Sequence, residues 1–159
     1  MFLQNYSKLL VILLFLSGCA IKSPTTSKTV SFVFKTSNIK IAASGFLYKN
    51  SHIKLQGYSG ANPIFTLLLT KRVCINDRCM SYKNFNQRFL SPAYPEKIVR
   101  NILLGRPIFH GQNLQKSALG FSQEIVGDSF AIIYRVEKKK IYFKDRRNAI
   151  LIKIKELDG

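Results

Sequence analysis

Three cysteines carry most of the reactive chemistry this chain could offer. Cys74 and Cys79 are separated by Ile-Asn-Asp-Arg, so the Cys-x-x-Cys spacing of a thiol redox motif is absent. A metal site would need ligands beyond two thiolates, and only His52 and His110 are there to add an imidazole. Neither histidine belongs to a constellation of catalytic partners, and both read as surface residues. Among the acids, Glu124 and Asp128 are close in sequence, while Asp145, Glu156 and Asp158 fall in or beside turns and the tail. None forms a pair suited to acid–base catalysis. There is no G-x-S-x-G, no Walker loop, no H-E-x-x-H and no glycine-rich dinucleotide fingerprint. The expectation is a protein that is not an enzyme and carries neither metal nor cofactor.

Cys19 has a different setting. After a polar start whose one charge is Lys8, residues 9–16 (LLVILLFL) form an apolar run too short to span a bilayer comfortably, and Leu16-Ser17-Gly18-Cys19 follows directly. That layout is a signal peptide over residues 1–18. Leu-Ser-Gly-Cys resembles the lipobox of the bacterial lipoprotein family. The resemblance implies a diacylglyceryl group on the Cys19 thiol, cleavage before it, and acylation of the freed amine, typically with palmitate. Several acyl chains on one residue anchor stably where one chain binds marginally. Ala20, not Asp, follows the cysteine; in enterobacterial members Asp there signals retention in the inner membrane. The implied location is the cell envelope, lipid-anchored to the outer membrane and facing the periplasm.

Export places Cys74 and Cys79 in an oxidising compartment. If Asn76-Asp77 is a two-residue hairpin turn, Ile75 faces Arg78 and Cys74 faces Cys79 as the next, non-hydrogen-bonded pair. Such pairs lie within disulfide range. The expected bond closes a short loop and pins a local hairpin more than it stabilises the whole fold.

Removing residues 1–18 takes away one lysine and no acid, leaving 24 basic residues against 8 acidic ones. In a cytosolic protein such a balance would suggest nucleic acid. An exported chain meets phospholipid headgroups, lipopolysaccharide phosphates and cell-wall carboxylates instead, so anionic envelope surfaces are expected and nucleic acid is not. The competing reading is that the lysines merely solvate and guard strand faces. With 47% hydrophobic and 12% aromatic residues the chain is too apolar for disorder, and its length supports one core. The expected product is a single-domain monomer.

Residues 19–29, the lipidated cysteine with a small, polar, Pro-containing segment, read as a flexible tether, and residues 30–159 as the folded domain. From Val30 the apolar period is two. Val30, Phe32 and Phe34 share a face; Ile39, Ile41, Ala43 and Leu47 nearly do; Ile53 and Leu55 alternate with Lys54 and Gln56. Gly45 inside the second strand predicts a bulge or bend, and Asn50-Ser51 a turn. Residues 57–63 (GYSGANP) read as a loop, and residues 64–69 (IFTLLL) as a central strand apolar on both faces. The period then changes. Pro95 at a first turn, the stripe Ile98, Val99, Ile102 and Leu103, and the stops Gly105 and Pro107 predict one short amphipathic helix. Residues 108–117 give no signal. Strands return at 119–126 and 129–136, then around Ile141 and Phe143, a turn over 145–148, and a strand carrying Ile150, Ile152 and Ile154. The predicted class is α+β, mainly β: a curved antiparallel half-barrel with one or two short helices across its concave face.

Two stretches resemble the LolA/LolB superfamily of lipoprotein carriers and receptors, most closely its outer-membrane receptors. Ser44-Gly45-Phe46-Leu47, His52 to Tyr58 and Gly60 to Leu67 are similar to the receptor's early strands, and Tyr94 to Pro107 to its helix leading into a Gly-x-Pro turn. The chain is shorter than those receptors, which implies fewer strands or helices, and has no tryptophan where they usually carry several. The resemblance implies an apolar cavity that accepts the acyl chains of lipoproteins or phospholipid, handed over by a periplasmic carrier protein. Phe32, Phe34, Ile41, Leu47, Leu55, Phe65 and Leu67 would line it, with Ile98, Val99, Ile102 and Leu103 from the cover; the same residues could equally form a filled core. In the receptors a projecting loop bears an exposed leucine that helps insert cargo into the membrane; here Ala61, Pro63 and Ile64 occupy it. The alternative function is a structural or assembly lipoprotein that docks onto an envelope complex and binds no lipid.

Overall fold

A computed structural model describes residues 27–158; residues 1–18, Cys19 and the tether through residue 26 lie outside it. Eleven antiparallel strands form one open, curved sheet: β1 (Ser27–Lys35), β2 (Lys40–Lys49), β3 (Ile53–Ser59), β4 (Asn62–Leu69), β5 (Val73–Ile75), β6 (Arg78–Met80), β7 (Leu114–Ser117), β8 (Gly120–Val126), β9 (Ala131–Glu137), β10 (Lys140–Asp145) and β11 (Ile150–Glu156). The spatial order is β6-β5-β4-β3-β2-β1-β11-β10-β9-β8-β7. Two meanders, β1–β6 and β7–β11, therefore meet where the first and last strands pair. Between them run α1 (Tyr82–Phe89), α2 (Ile98–Leu104) and a 3₁₀ turn at Phe109–Gly111. The class is α+β, mainly β, as the period-two pattern predicts.

Alternation puts one residue set on the inner face. Ile41, Phe34, Ile152, Phe143, Tyr134 and Gln123 stand in one cross-strand row from β2 to β8. Such rows of β-branched and aromatic residues are the unit that stabilises a sheet. Of the two helices, α1 has the more explicit start: Ser81 caps it by accepting from the Asn84 N–H (3.1 Å). Its Tyr82, Phe85 and Asn86 are buried, and Asn86 Nδ2 donates to the Pro95 and Glu96 carbonyls (3.1 and 3.2 Å), holding the segment that leads into α2. The whole apolar stripe of α2, Ile98, Val99, Ile102 and Leu103, is buried against the sheet. Gly105 ends this helix at φ 66°, with Arg106 N–H to Asn101 C=O (2.9 Å) and Gly105 N–H to Ile102 C=O (3.0 Å). That paired closure needs a left-handed residue, which glycine supplies without a Cβ penalty.

Several boundaries differ from the sequence reading. β1 starts at Ser27, so three tether residues belong to the sheet. Residues 57–63 are not a loop: β3 runs to Ser59, β4 starts at Asn62, and only Gly60 and Ala61 form the turn. Pairing passes from Gly57↔Phe65 to Tyr58↔Pro63, leaving Ile64 as the extra residue of a bulge; the bulge relieves the ladder where Pro63 has no N–H to give. Gly45 itself carries no bulge, since it pairs with Val30 and Gly57 in unbroken register. A Cβ there would meet the Gln56 carbonyl oxygen, so close backbone approach is what requires glycine. α1 was not anticipated as an element, Pro95 precedes α2 without joining it, and residues 114–117 of the signal-free segment form the edge strand β7.

Candidate apolar pocket with a basic rim

The β1–β2, β3–β4 and β5–β6 turns all lie at one end of the sheet by register. There the inner face is left uncovered between β2, β4 and β6 on one side and the end of α1 on the other. A pocket of about 520 Å³ results, within the range of sites that take small ligands. Phe65 faces it from β4, its ring 5.9 Å from the rings of Phe32 and of Phe34. Ile39 and Ile41 enter from β2 and its preceding turn, Ile75 and Met80 from the β5–β6 hairpin, and Phe89 from the last turn of α1. These five are partly buried and pack against the core.

Local chemistry fixes the walls. Asn76 (φ 43°) and Asp77 (φ 69°) form a tight turn with both residues left-handed, the geometry that matches strand twist. Cys74 and Cys79 face each other across it, their Cα atoms 3.9 Å apart and their sulfurs bonded. The disulfide therefore holds the short edge strand β6, and with it Arg78 and Met80, in register. Asn76 also clasps β4: its Oδ1 accepts from the Thr66 N–H (2.8 Å) and its own N–H donates to the Thr66 carbonyl (2.9 Å). On the opposite wall, Asn38 Nδ2 donates to the Arg88 carbonyl (2.5 Å), tying the β1–β2 turn to the end of α1. Phe89 stacks on Phe85 (5.4 Å), and the Arg88 guanidinium sits 5.4 Å from the Phe89 ring.

Lys40, Arg78 and Arg88 line the same pocket, and no acidic residue does. An apolar interior under three cations has the chemistry to accommodate an amphiphile with an anionic head: burial of each methylene is favourable by about 0.8 kcal/mol, and guanidinium groups can give paired donors to a carboxylate or phosphate.

The residues expected to line a cavity separate into two groups. Ile41, partly buried, and Phe65, itself 3% exposed and part of the core, line the pocket. Phe32, Phe34, Leu47, Leu55 and Leu67, with Ile98, Val99, Ile102 and Leu103, are 3% exposed or less and pack together as core. Ala61 is in the β3–β4 turn, whereas Pro63 and Ile64 lie in β4 itself; all three are exposed at the pocket's end of the sheet, Ile64 at 40%. Ile75, Met80, Phe89 and the three basic rim residues were not singled out by sequence. Their available signal was Ser81 as an N-cap followed by Tyr82, Phe85 and Phe89 at helical spacing.

No protein-family model and no curated protein matches this chain.

Elsewhere the chemistry is structural. Asp145, read from sequence as a turn acid, is buried. Its carboxylate accepts from the N–H groups of Ala131 (3.0 Å) and Arg147 (2.9 Å), from Asn148 Nδ2 (2.6 Å) and from the Tyr94 hydroxyl. Burial alone would raise its pKa, but these donors outweigh it and hold the carboxyl below its ordinary value. Tyr94 is driven far up by burial and by its bond to Asp145, so it stays a proton donor. Among the described residues no group of three or more His, Cys, Asp or Glu side chains gathers as a metal site would require.

Proposed function

We propose that this chain is a membrane-anchored lipoprotein that takes an acyl chain of a lipoprotein or phospholipid into the basic-rimmed pocket and helps place acylated lipoproteins in the outer membrane. The observation that carries the reading is the pocket's composition: Ile39, Ile41, Phe65, Ile75, Met80 and Phe89 inside, Lys40, Arg78 and Arg88 at the rim. The Leu-Ser-Gly-Cys lipobox, the half-barrel and the helix lying on its inner face support it, because an acyl chain leaves a carrier only for another apolar site. A pocket of this size suits one chain, with the anionic end left at the rim.

Dense packing favours a second reading. Most of the expected lining is core, as in a lipoprotein that docks onto an envelope complex and holds no lipid. Titration with a fluorescent synthetic diacyl lipopeptide separates the two. Uptake that is lost in Met80→Glu and in Ile75→Glu, with the far-ultraviolet spectrum unchanged, supports the acyl site; a folded domain that takes up none supports docking.

A further inference from the structure

The outer face of the sheet has its own chemistry, at the other end of the strands from the pocket. Thr29 pairs with Phe46, and the Leu157 N–H donates to the Thr29 carbonyl (2.9 Å), so Phe46 and Leu157 flank β1 on the outward side. They are 38% and 37% exposed. Phe46 lies edge-on to Tyr58 (5.9 Å) and beside Tyr48 (6.3 Å), and Lys54 Nζ sits 4.6 Å from the Tyr48 ring.

Across β1 the outer face turns basic. Lys155 stands directly opposite Lys140, and Lys153 opposite Tyr142, its Nζ 5.6 Å from that ring. Glu137 stands opposite Lys140 on its other side and Asp158 lies within Coulombic reach of Lys155, so two acids partly offset the opposed lysines and the face keeps a basic excess. Edge protection does not account for these lysines, because the sheet's edges are β6 and β7, whereas β10 and β11 are interior strands. Between the aromatic and basic halves runs a groove of about 540 Å³ whose outward side chains include Val33, Ala42, Tyr142, Lys153 and Lys155.

We propose that this outer face is a docking surface for an anionic phospholipid membrane, with Phe46, Leu157 and the two tyrosines at headgroup level and Lys140, Lys153 and Lys155 on the phosphates. Aromatic residues beside lysines are what the membrane interface selects. The chain's route agrees. Ser27, the first residue of β1, pairs with Tyr48 next to Phe46, and Cys19 is eight residues earlier, a reach of roughly 28 Å at full extension. That last step rests on the lipid-anchor reading; the face itself does not. A domain seated this way turns its pocket, at the opposite end of the strands, away from the membrane.

Residues 20–159 contain every strand and the whole core cluster, so that chain, lacking the anchor, is the one to test by flotation with vesicles. It should bind phosphatidylglycerol/phosphatidylethanolamine vesicles, release from them as salt rises, and ignore phosphatidylcholine/phosphatidylethanolamine vesicles. Lys140→Gln, Lys153→Gln and Lys155→Gln together should weaken partitioning on the order of a hundredfold, and Phe46→Ser with Leu157→Ser at least tenfold, with urea midpoints unchanged because all five side chains are exposed. No partitioning onto anionic vesicles, or partitioning indifferent to both sets, would overturn the proposal. So would binding to soluble polyglutamate without vesicle binding, which would favour an acidic protein partner, or vesicle binding abolished by Ile64→Glu at the pocket end alone. Lipopeptide uptake in solution should survive the triple lysine variant. Docking without uptake in the parent chain would count against the acyl pocket and leave the docking face standing.

Discussion

One end of the sheet carries two rims built in opposite ways. On the β8–β11 side, the β8–β9 and β10–β11 turns are sealed. Tyr94 lies edge-on to Phe109, Phe130 and Phe143 at 5.8 to 6.3 Å, and its hydroxyl is spent on buried Asp145. On the β2–β6 side, the hydrophobic residues stay half-exposed and three cations stand where the other rim has a satisfied carboxylate. Aromatic packing with fully paired polar groups produces rigidity. Unfilled apolar surface under unpaired charge is kept for an occupant. On the proposed reading, the difference assigns binding to the first meander and stability to the second.

The largest expected effect breaks the sealed rim. Asp145→Ala strands the hydrogen-bond donors that meet there and should cost about 3 kcal/mol in urea unfolding, while lipopeptide affinity per folded molecule stays unchanged. Acid should act on the same group. Because the folded-state pKa of Asp145 lies below the ordinary carboxylate value, its contribution is fully present above about pH 4. It is lost as pH falls through the folded value. The urea midpoint should therefore drop on acidification below about pH 4, with a shallower drop in Asp145→Asn.

Replacing Cys74 and Cys79 by alanine sharpens the contrast from the other side. The closed loop is short, so about 2 kcal/mol of stability is at stake. The loss should be accompanied by weaker lipopeptide binding, since β6 supplies Arg78 and Met80. An unchanged affinity in that double variant would detach the hairpin from the pocket. The smallest effect belongs to Arg78→Gln with Arg88→Gln. It should weaken a fatty-acid carboxylate about tenfold against the corresponding alcohol, reduce its salt dependence to what Lys40 alone supplies, and leave the unfolding midpoint within about 0.5 kcal/mol.

The sealed and open rims were unequally legible in the sequence. Strands with one wet and one buried face show themselves through period two, so the inward sets of β1, β3 and β11 and the stripe of α2 were readable residue by residue. The Cys74–Cys79 register followed from turn length alone. Residues 57–63 misled because glycine, asparagine and proline signal a loop, and only the pairing reveals a bulge that tolerates Pro63 inside a strand. α1 escaped because Lys83, Asn84, Gln87 and Arg88 dilute a four-residue stripe in which one buried member is Asn86. The roles of Asp145 and of the basic rim depend on strands far apart in sequence meeting at one end, which no local pattern encodes.

On the proposed reading, the open rim binds an acyl chain head-outward. Native mass spectrometry of residues 20–159 with a synthetic diacyl lipopeptide tests it most directly. One lipopeptide per chain, displaced by a fatty acid and absent in Met80→Glu, is the expected result. A folded chain that carries no lipopeptide, or that carries it equally well in Met80→Glu, would contradict it.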